Sequence, residues 1–125
     1  MTFASDDLNP KFVFFSPVKS AVTGTDALLE HVDHAIIALD ARAPQGGTHT
    51  IEQLGAVTDT TLRVDLWVNE LDDYTCTYGF VVSSENGRVP YARGERSMVN
   101  ANAKPWSPDF RAAHVGLMKD LPAFA

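Results

Sequence analysis

The stretch Leu29-Glu30-His31-Val32-Asp33-His34-Ala35-Ile36-Ile37-Ala38-Leu39-Asp40-Ala41-Arg42 runs into Ala43-Pro44 and then Gly46-Gly47. Within it Val32, Ala35, Ile36, Leu39 and Ala43 recur at helical spacing and make one apolar stripe. The segment is rich in alanine and free of glycine and proline until Pro44, so the spacing predicts a helix from about Leu29 to Arg42. Upstream, Ala21 to Leu29 holds Gly24 and small polar residues and reads as a loop leading into that helix. Before the loop, the apolar run Phe12-Val13-Phe14-Phe15 suits a short buried strand that Pro17 ends or moves to an edge.

After the helix the period changes to two. Thr48 to Val57 is β-like, although Gly55 weakens the pattern. From Thr61 to Leu71, Leu62, Val64, Leu66 and Val68 share one face, while Thr61, Arg63, Asp65 and Trp67 share the other. Leu71-Asp72-Asp73 is a turn, and Tyr74, Cys76, Tyr78, Phe80 and Val82 then alternate with Thr75, Thr77, Gly79 and Val81. The Asn86-Gly87 pair favours a tight hairpin, with Val89 to Asn100 as the returning strand. These three strands form an antiparallel meander, and the helix before them must cover one face. Past Lys104-Pro105-Trp106, Ser107 is a natural N-cap with Pro108 at the first helical position. A short final helix to Lys119 is expected, with Phe110, His114, Leu117 and Leu121 on one side.

The totals fit a single α+β domain over residues 1–125. A chain of 125 residues supports one hydrophobic core, and 45% apolar residues is an ordinary globular share. The net charge of −6 argues against nucleic-acid binding, which needs a basic face to displace counterions from phosphates. No apolar run approaches the length of a membrane span. The acidic start Met1 to Asp7 lacks the basic and apolar parts of a signal peptide, so a cytoplasmic location is expected. One cysteine, Cys76, makes no internal disulfide and reads as a small buried hydrophobe. Trp67 and Trp106 read as packing or interface residues.

The order of elements resembles the 4-hydroxybenzoyl-CoA thioesterase group of hotdog proteins. Thr25 to Ala35 is similar to that family's Asp-rich loop followed by Gly-His-Val-Asn-Asn. Asp59 to Trp106, through Thr60-Thr61-Leu62-Arg63-Val64 and Tyr91-Ala92-Arg93-Gly94-Glu95-Arg96, looks like its later strands and closing proline-containing segment. Here Glu30 stands for the family's glycine, and Asp33 and His34 for its two asparagines. The resemblance implies a hotdog fold, with an antiparallel sheet wrapped around a central helix, plus a short C-terminal helix. It also implies an acyl-CoA or carrier-bound acyl substrate, no cofactor, and a homodimer or homotetramer. Ala92 and Gly94, small residues on one strand face, are expected to let the helix approach closely.

Ionisable residues gather where the predicted loop meets the helix: Asp26, Glu30, His31, Asp33 and His34. Thioester hydrolysis needs a donor for the developing oxyanion and a carboxylate that attacks the carbonyl or activates water. Asp26, His31 and Asp33 are the candidate catalytic residues, with helix-start amides near His31 to Asp33 as the oxyanion donors. Asp26 alternatively caps the helix, and His31 either contacts the thioester or sits as a satisfied, partly buried histidine. His31 and His34 with Asp26 or Asp33 would make three metal ligands, a reading set below one with no metal. His34, Arg93 and Arg96 are candidate substrate contacts. By resemblance, basic residues of the last strand meet the phosphates of coenzyme A, against an ordinary solvated strand edge. Arg93 and Arg96 face opposite ways by alternation. Two rivals stand beside hydrolysis. A hotdog hydratase has an Asp and a His five apart, as Asp26 and His31 are, and a non-catalytic acyl-binding or assembly protein needs neither.

Overall fold

The computed structural model describes residues 11–40, 47–100 and 104–118. In chain order the elements are β1 (Phe12–Pro17), α1 (Thr25–Asp40), β2 (His49–Gln53), β3 (Thr61–Leu71), β4 (Thr75–Ser84), β5 (Pro90–Val99) and α2 (Pro108–Val115). The strands form one antiparallel sheet in the order β1-β3-β4-β5-β2. β1 and β2 stand at opposite edges, so α1 carries the chain from one edge to the other.

Alternation in β3 and β4 separates the two faces of the sheet. Leu62, Val64, Leu66 and Val68 of β3 are fully buried, as are Cys76, Tyr78, Phe80 and Val82 of β4. Leu28, Val32, Ala35 and Ile36 of α1 are also fully buried and belong to the same core cluster. The helix touches β1, β2, β3 and β4, so the sheet curves around it. Burying Leu28, Val32 and Ile36 contributes about 1.5–3 kcal/mol each. On the other face Trp67 lies over Gly79, its partner across the β3–β4 ladder, and its indole donates to Asn69 Oδ1.

The helix begins one turn earlier than the apolar stripe predicts. Leu28 N–H donates to the Gly24 carbonyl at 3.2 Å, which makes Thr25 the first helical residue. Leu28 is the reason, because it extends the buried stripe one turn towards the N-terminus. The acidic Asp26 in the first turn suits the positive end of the helix dipole. Residues 41–43 of the predicted helix and its stripe lie outside the described residues.

Other boundaries shift as well. β2 ends at Gln53 rather than Val57. Tyr74 precedes β4 and is 44% exposed, so it does not share the core face with Cys76 and Tyr78. Gly94 is small for a reason other than the helix. A Cβ there would meet the Thr50 carbonyl oxygen at 2.0 Å, so it is the β2 backbone that fills the space. Gly94 faces Ile51 across the β2–β5 ladder, and Gly94→Ala must push β2 away. The expected loss is about 1–3 kcal/mol, read as a lower urea midpoint. An unchanged midpoint would show that β2 moves freely.

Gly87 closes the β4–β5 hairpin at φ 77°, a left-handed conformation that glycine adopts without strain. The last helix is capped as the sequence indicates, with Ser107 Oγ accepting from Phe110 N–H at 3.1 Å. It ends at Val115 rather than Lys119, because the chain then turns to pair with the sheet. Val68 N–H donates to the Leu117 carbonyl at 2.8 Å, and Met118 bridges Val68 in parallel. Among the described residues β1 pairs with β3 as far as Leu66, and this segment meets the next stretch of the same strand. Lys119 and Leu121 lie outside the described residues.

α2 is joined to the core through a stack of rings. Trp106 lies on Phe110 at 4.0 Å, and Phe110 lies on His114 at 3.8 Å. His114 is fully buried, with Nδ1 2.8 Å from the Phe110 carbonyl oxygen and Nε2 2.6 Å from the Tyr78 hydroxyl. A carbonyl only accepts, so Nδ1–H donates, and in the neutral ring Nε2 accepts from Tyr78. His114 therefore serves packing in this fold.

Candidate active site

The N-terminal half of α1 lies against the end of β1. Phe12 and Phe14 pack on the core, and two residues further on the same face carries Ser16. Ser16 is 1% exposed, and its hydroxyl lies 2.5 Å from Nδ1 of His31. The pair joins strand to helix at the wall of a cleft of about 390 Å³. Phe14, Ser16, Lys19, Glu30, His31 and His34 are among its lining residues.

His31 and His34 meet edge to face, with ring centroids 6.1 Å apart. Burial, and then the charge of His34, hold the His31 ring below its ordinary value of 6.5, while Glu30 opposes the shift. His31 is therefore neutral at neutral pH. A histidine with a lowered folded-state value binds fewer protons folded than unfolded. Its contribution to stability is complete above pH 6.5 and is lost as pH falls below it. Urea midpoints above and below pH 6.5 should show the wild type losing stability on acidification. In His31→Gln that loss should be smaller. An equal loss in both proteins would contradict the shift.

Asp26 lies in the first turn of α1, exposed, rather than on a preceding loop. It lines a second depression with Thr23, Gly24, Thr25, Ala27 and Glu30. Glu30 lines both depressions, so the Asp26 site and the His31 cleft adjoin. The earlier helix start also relocates the open amides. Within an α-helix from Thr25 to Asp40, the N–H groups of residues 31–33 are engaged with carbonyls one turn back. They are not free donors. The open N–H groups are those before Leu28, on either side of Asp26.

Asp33 and Arg96 are brought together with each other. Arg96 Nε donates to Asp33 Oδ1 at 3.2 Å, with side chains 11% and 30% exposed. Arg96 also donates to the carbonyls of Ser97 and Thr48, so its guanidinium ties α1 to the β5 side of the sheet. Arg93 faces away from it and pairs with Glu52 at 2.9 Å, both highly exposed. Arg93 lines a different depression, with Thr50, Glu52 and Glu95. Of the three candidate substrate contacts, only His34 lines the His31 cleft. Among the described residues no group of three His, Cys, Asp or Glu side chains is placed to hold a metal ion.

Ser16 is the cleft residue that sequence reasoning missed. Its signal was a polar residue at an inward position of the alternation Phe12, Phe14, Ser16, hidden by the apolar run through Phe15.

The helix-in-sheet arrangement has close structural counterparts. A 1,4-dihydroxy-2-naphthoyl-CoA thioesterase from Synechocystis superposes with a TM-score of 0.70 at 13% identity, over 90% of this chain and 100% of that one. The chain has the hotdog fold. A second hotdog counterpart is a predicted thioesterase from Bacillus stearothermophilus, at TM-score 0.66 and 16% identity, over 90% of this chain and 100% of that one. A third is a Staphylococcus aureus protein solved in complex with CoA, at 0.67 and 12%, over 94% and 89% of the two chains. No protein-family model matches the sequence, and no curated protein matches it. Among the described residues no helix is long and apolar enough to cross a membrane.

Proposed function

We propose that this hotdog protein hydrolyses a thioester of coenzyme A or of an acyl carrier. The observation that carries the reading is the likeness to the CoA thioesterase over nine-tenths of the chain. The Asp26 depression and the His31 cleft beside it hold groups suited to that chemistry. Asp26 presents an exposed carboxylate among the open amides of a helix start, where the dipole favours a developing negative charge. In this reading Asp26 attacks the thioester carbonyl or takes the proton of the attacking water. The tetrahedral oxyanion then collapses and expels the thiolate, which is protonated to the free thiol. After water attack the acid leaves directly, and after Asp26 attack water hydrolyses the mixed anhydride and restores the carboxylate. His31 and His34 line the adjoining cleft, and in this reading they face the thioester carbonyl.

Asp33 acts in this scheme through Arg96, by fixing α1 on the sheet. Arg93, exposed and paired only at the surface, is the cation for a coenzyme A phosphate. β2 stands at a sheet edge with most of its residues exposed, which suits pairing with a second copy in a dimer or tetramer.

An enoyl-CoA separates this reading from hydration by a hotdog hydratase. Hydrolysis releases free thiol and leaves the conjugated double bond intact. Loss of the double bond without thiol would replace hydrolysis with hydration.

A further inference from the structure

We propose that Ser16 fixes His31 as the Nε2–H tautomer, and that this Nε2–H donates to the thioester carbonyl oxygen as charge develops there. The inference rests on the thioester reading and names a residue pair for it. Ser16 is 1% exposed, and its hydroxyl has one hydrogen to donate. Its bond to Nδ1 of His31 is the only side-chain hydrogen bond it makes among the described residues. A buried hydroxyl that fails to donate is costly, so Ser16 donates and Nδ1 accepts. The proton of the neutral ring then sits on Nε2.

That nitrogen has no partner among the described residues, and its ring lines the cleft. The amides of residues 31–33, the nearest backbone candidates, are engaged inside the helix. On this wall the His31 ring is therefore a donor that can act beside the open amides around Asp26 in the adjoining depression. Burial and the neighbouring His34 keep the ring neutral, so it serves as a neutral donor rather than a cation. The proton stays on Nε2 through the step, and no covalent bond to Ser16 is formed. Ser16 is a positioning residue, because it acts through His31.

The tautomer is read directly by ¹⁵N NMR of the imidazole nitrogens, with His31→Ala assigning the signal among the four histidines. Wild type should show a protonated Nε2 and a bare, hydrogen-bonded Nδ1 at neutral pH. Ser16→Ala should mix the tautomers and lower kcat roughly tenfold, with KM little changed. Ser16→Thr, which keeps the hydroxyl, should restore both. His31→Ala should lose about 10²–10³ in kcat. A wild-type ring protonated on Nδ1 in an active enzyme overturns the donor role and leaves the hydrolase reading standing. Full kcat in Ser16→Ala does the same. A wild type that releases no thiol from any acyl-CoA overturns the hydrolase reading, and with it the carbonyl as the ligand of this donor.

Discussion

Asp26→Asn is expected to cut thiol release from acyl-CoA by about two to four orders of magnitude. The side chain is exposed in the first turn of α1, so the amide fits the same space and packing is untouched. What the substitution removes is the charge that attacks the carbonyl or accepts a proton from water. The loss should appear in kcat, since an interaction made only in the transition state lowers kcat and kcat/KM together. Circular dichroism should stay at the wild-type spectrum, and the urea midpoint should fall by no more than the helix-dipole contribution of about 0.3–1 kcal/mol. Glu30→Gln is the necessary companion, because Glu30 lines both depressions. A larger loss in Glu30→Gln than in Asp26→Asn would move the carboxylate role to Glu30. A wild-type rate in Asp26→Asn would end its role altogether.

Phe110→Ala should destabilise the protein by about 3–5 kcal/mol. Phe110 is 2% exposed and stacked between Trp106 and His114, so truncation empties the middle of the ring column. The cavity also loosens His114, whose bond to Tyr78 joins α2 to the centre of the sheet. A cost of that size is a large part of the stability of a small domain. Urea unfolding followed by circular dichroism reads it as a lower midpoint with little change in slope. A cost below about 1 kcal/mol would mean that α2 merely rests on the fold.

The sheet was legible because alternation writes both of its faces into the chain. β3 runs from Thr61 to Leu71 as the sequence indicates, and the buried residues of β4 are Cys76, Tyr78, Phe80 and Val82. The start of α1 was not legible, because its first turn is small and polar and only Leu28 marks the buried stripe there. The C-terminal helix was placed by Ser107 and Pro108, but its end was set by a long-range bond to Val68 that no local signal carries. The cleft shows the same division. Ionisable residues clustered near His31 could be read from spacing along one helix. Ser16 meets His31 from a separate element, and Arg96 meets Asp33 across 63 positions. Helical spacing cannot encode either contact. Gly94 shows how a correct residue can carry a wrong reason: its smallness makes room for β2, not for the helix.

Thioester hydrolysis is tested most directly by incubating the wild-type protein with a panel of short, long and aromatic acyl-CoAs while following free thiol. At least one thioester should be hydrolysed well above its spontaneous rate, with one thiol released per acyl acid formed. No release from any member of the panel, by a protein shown to be folded, would contradict the account.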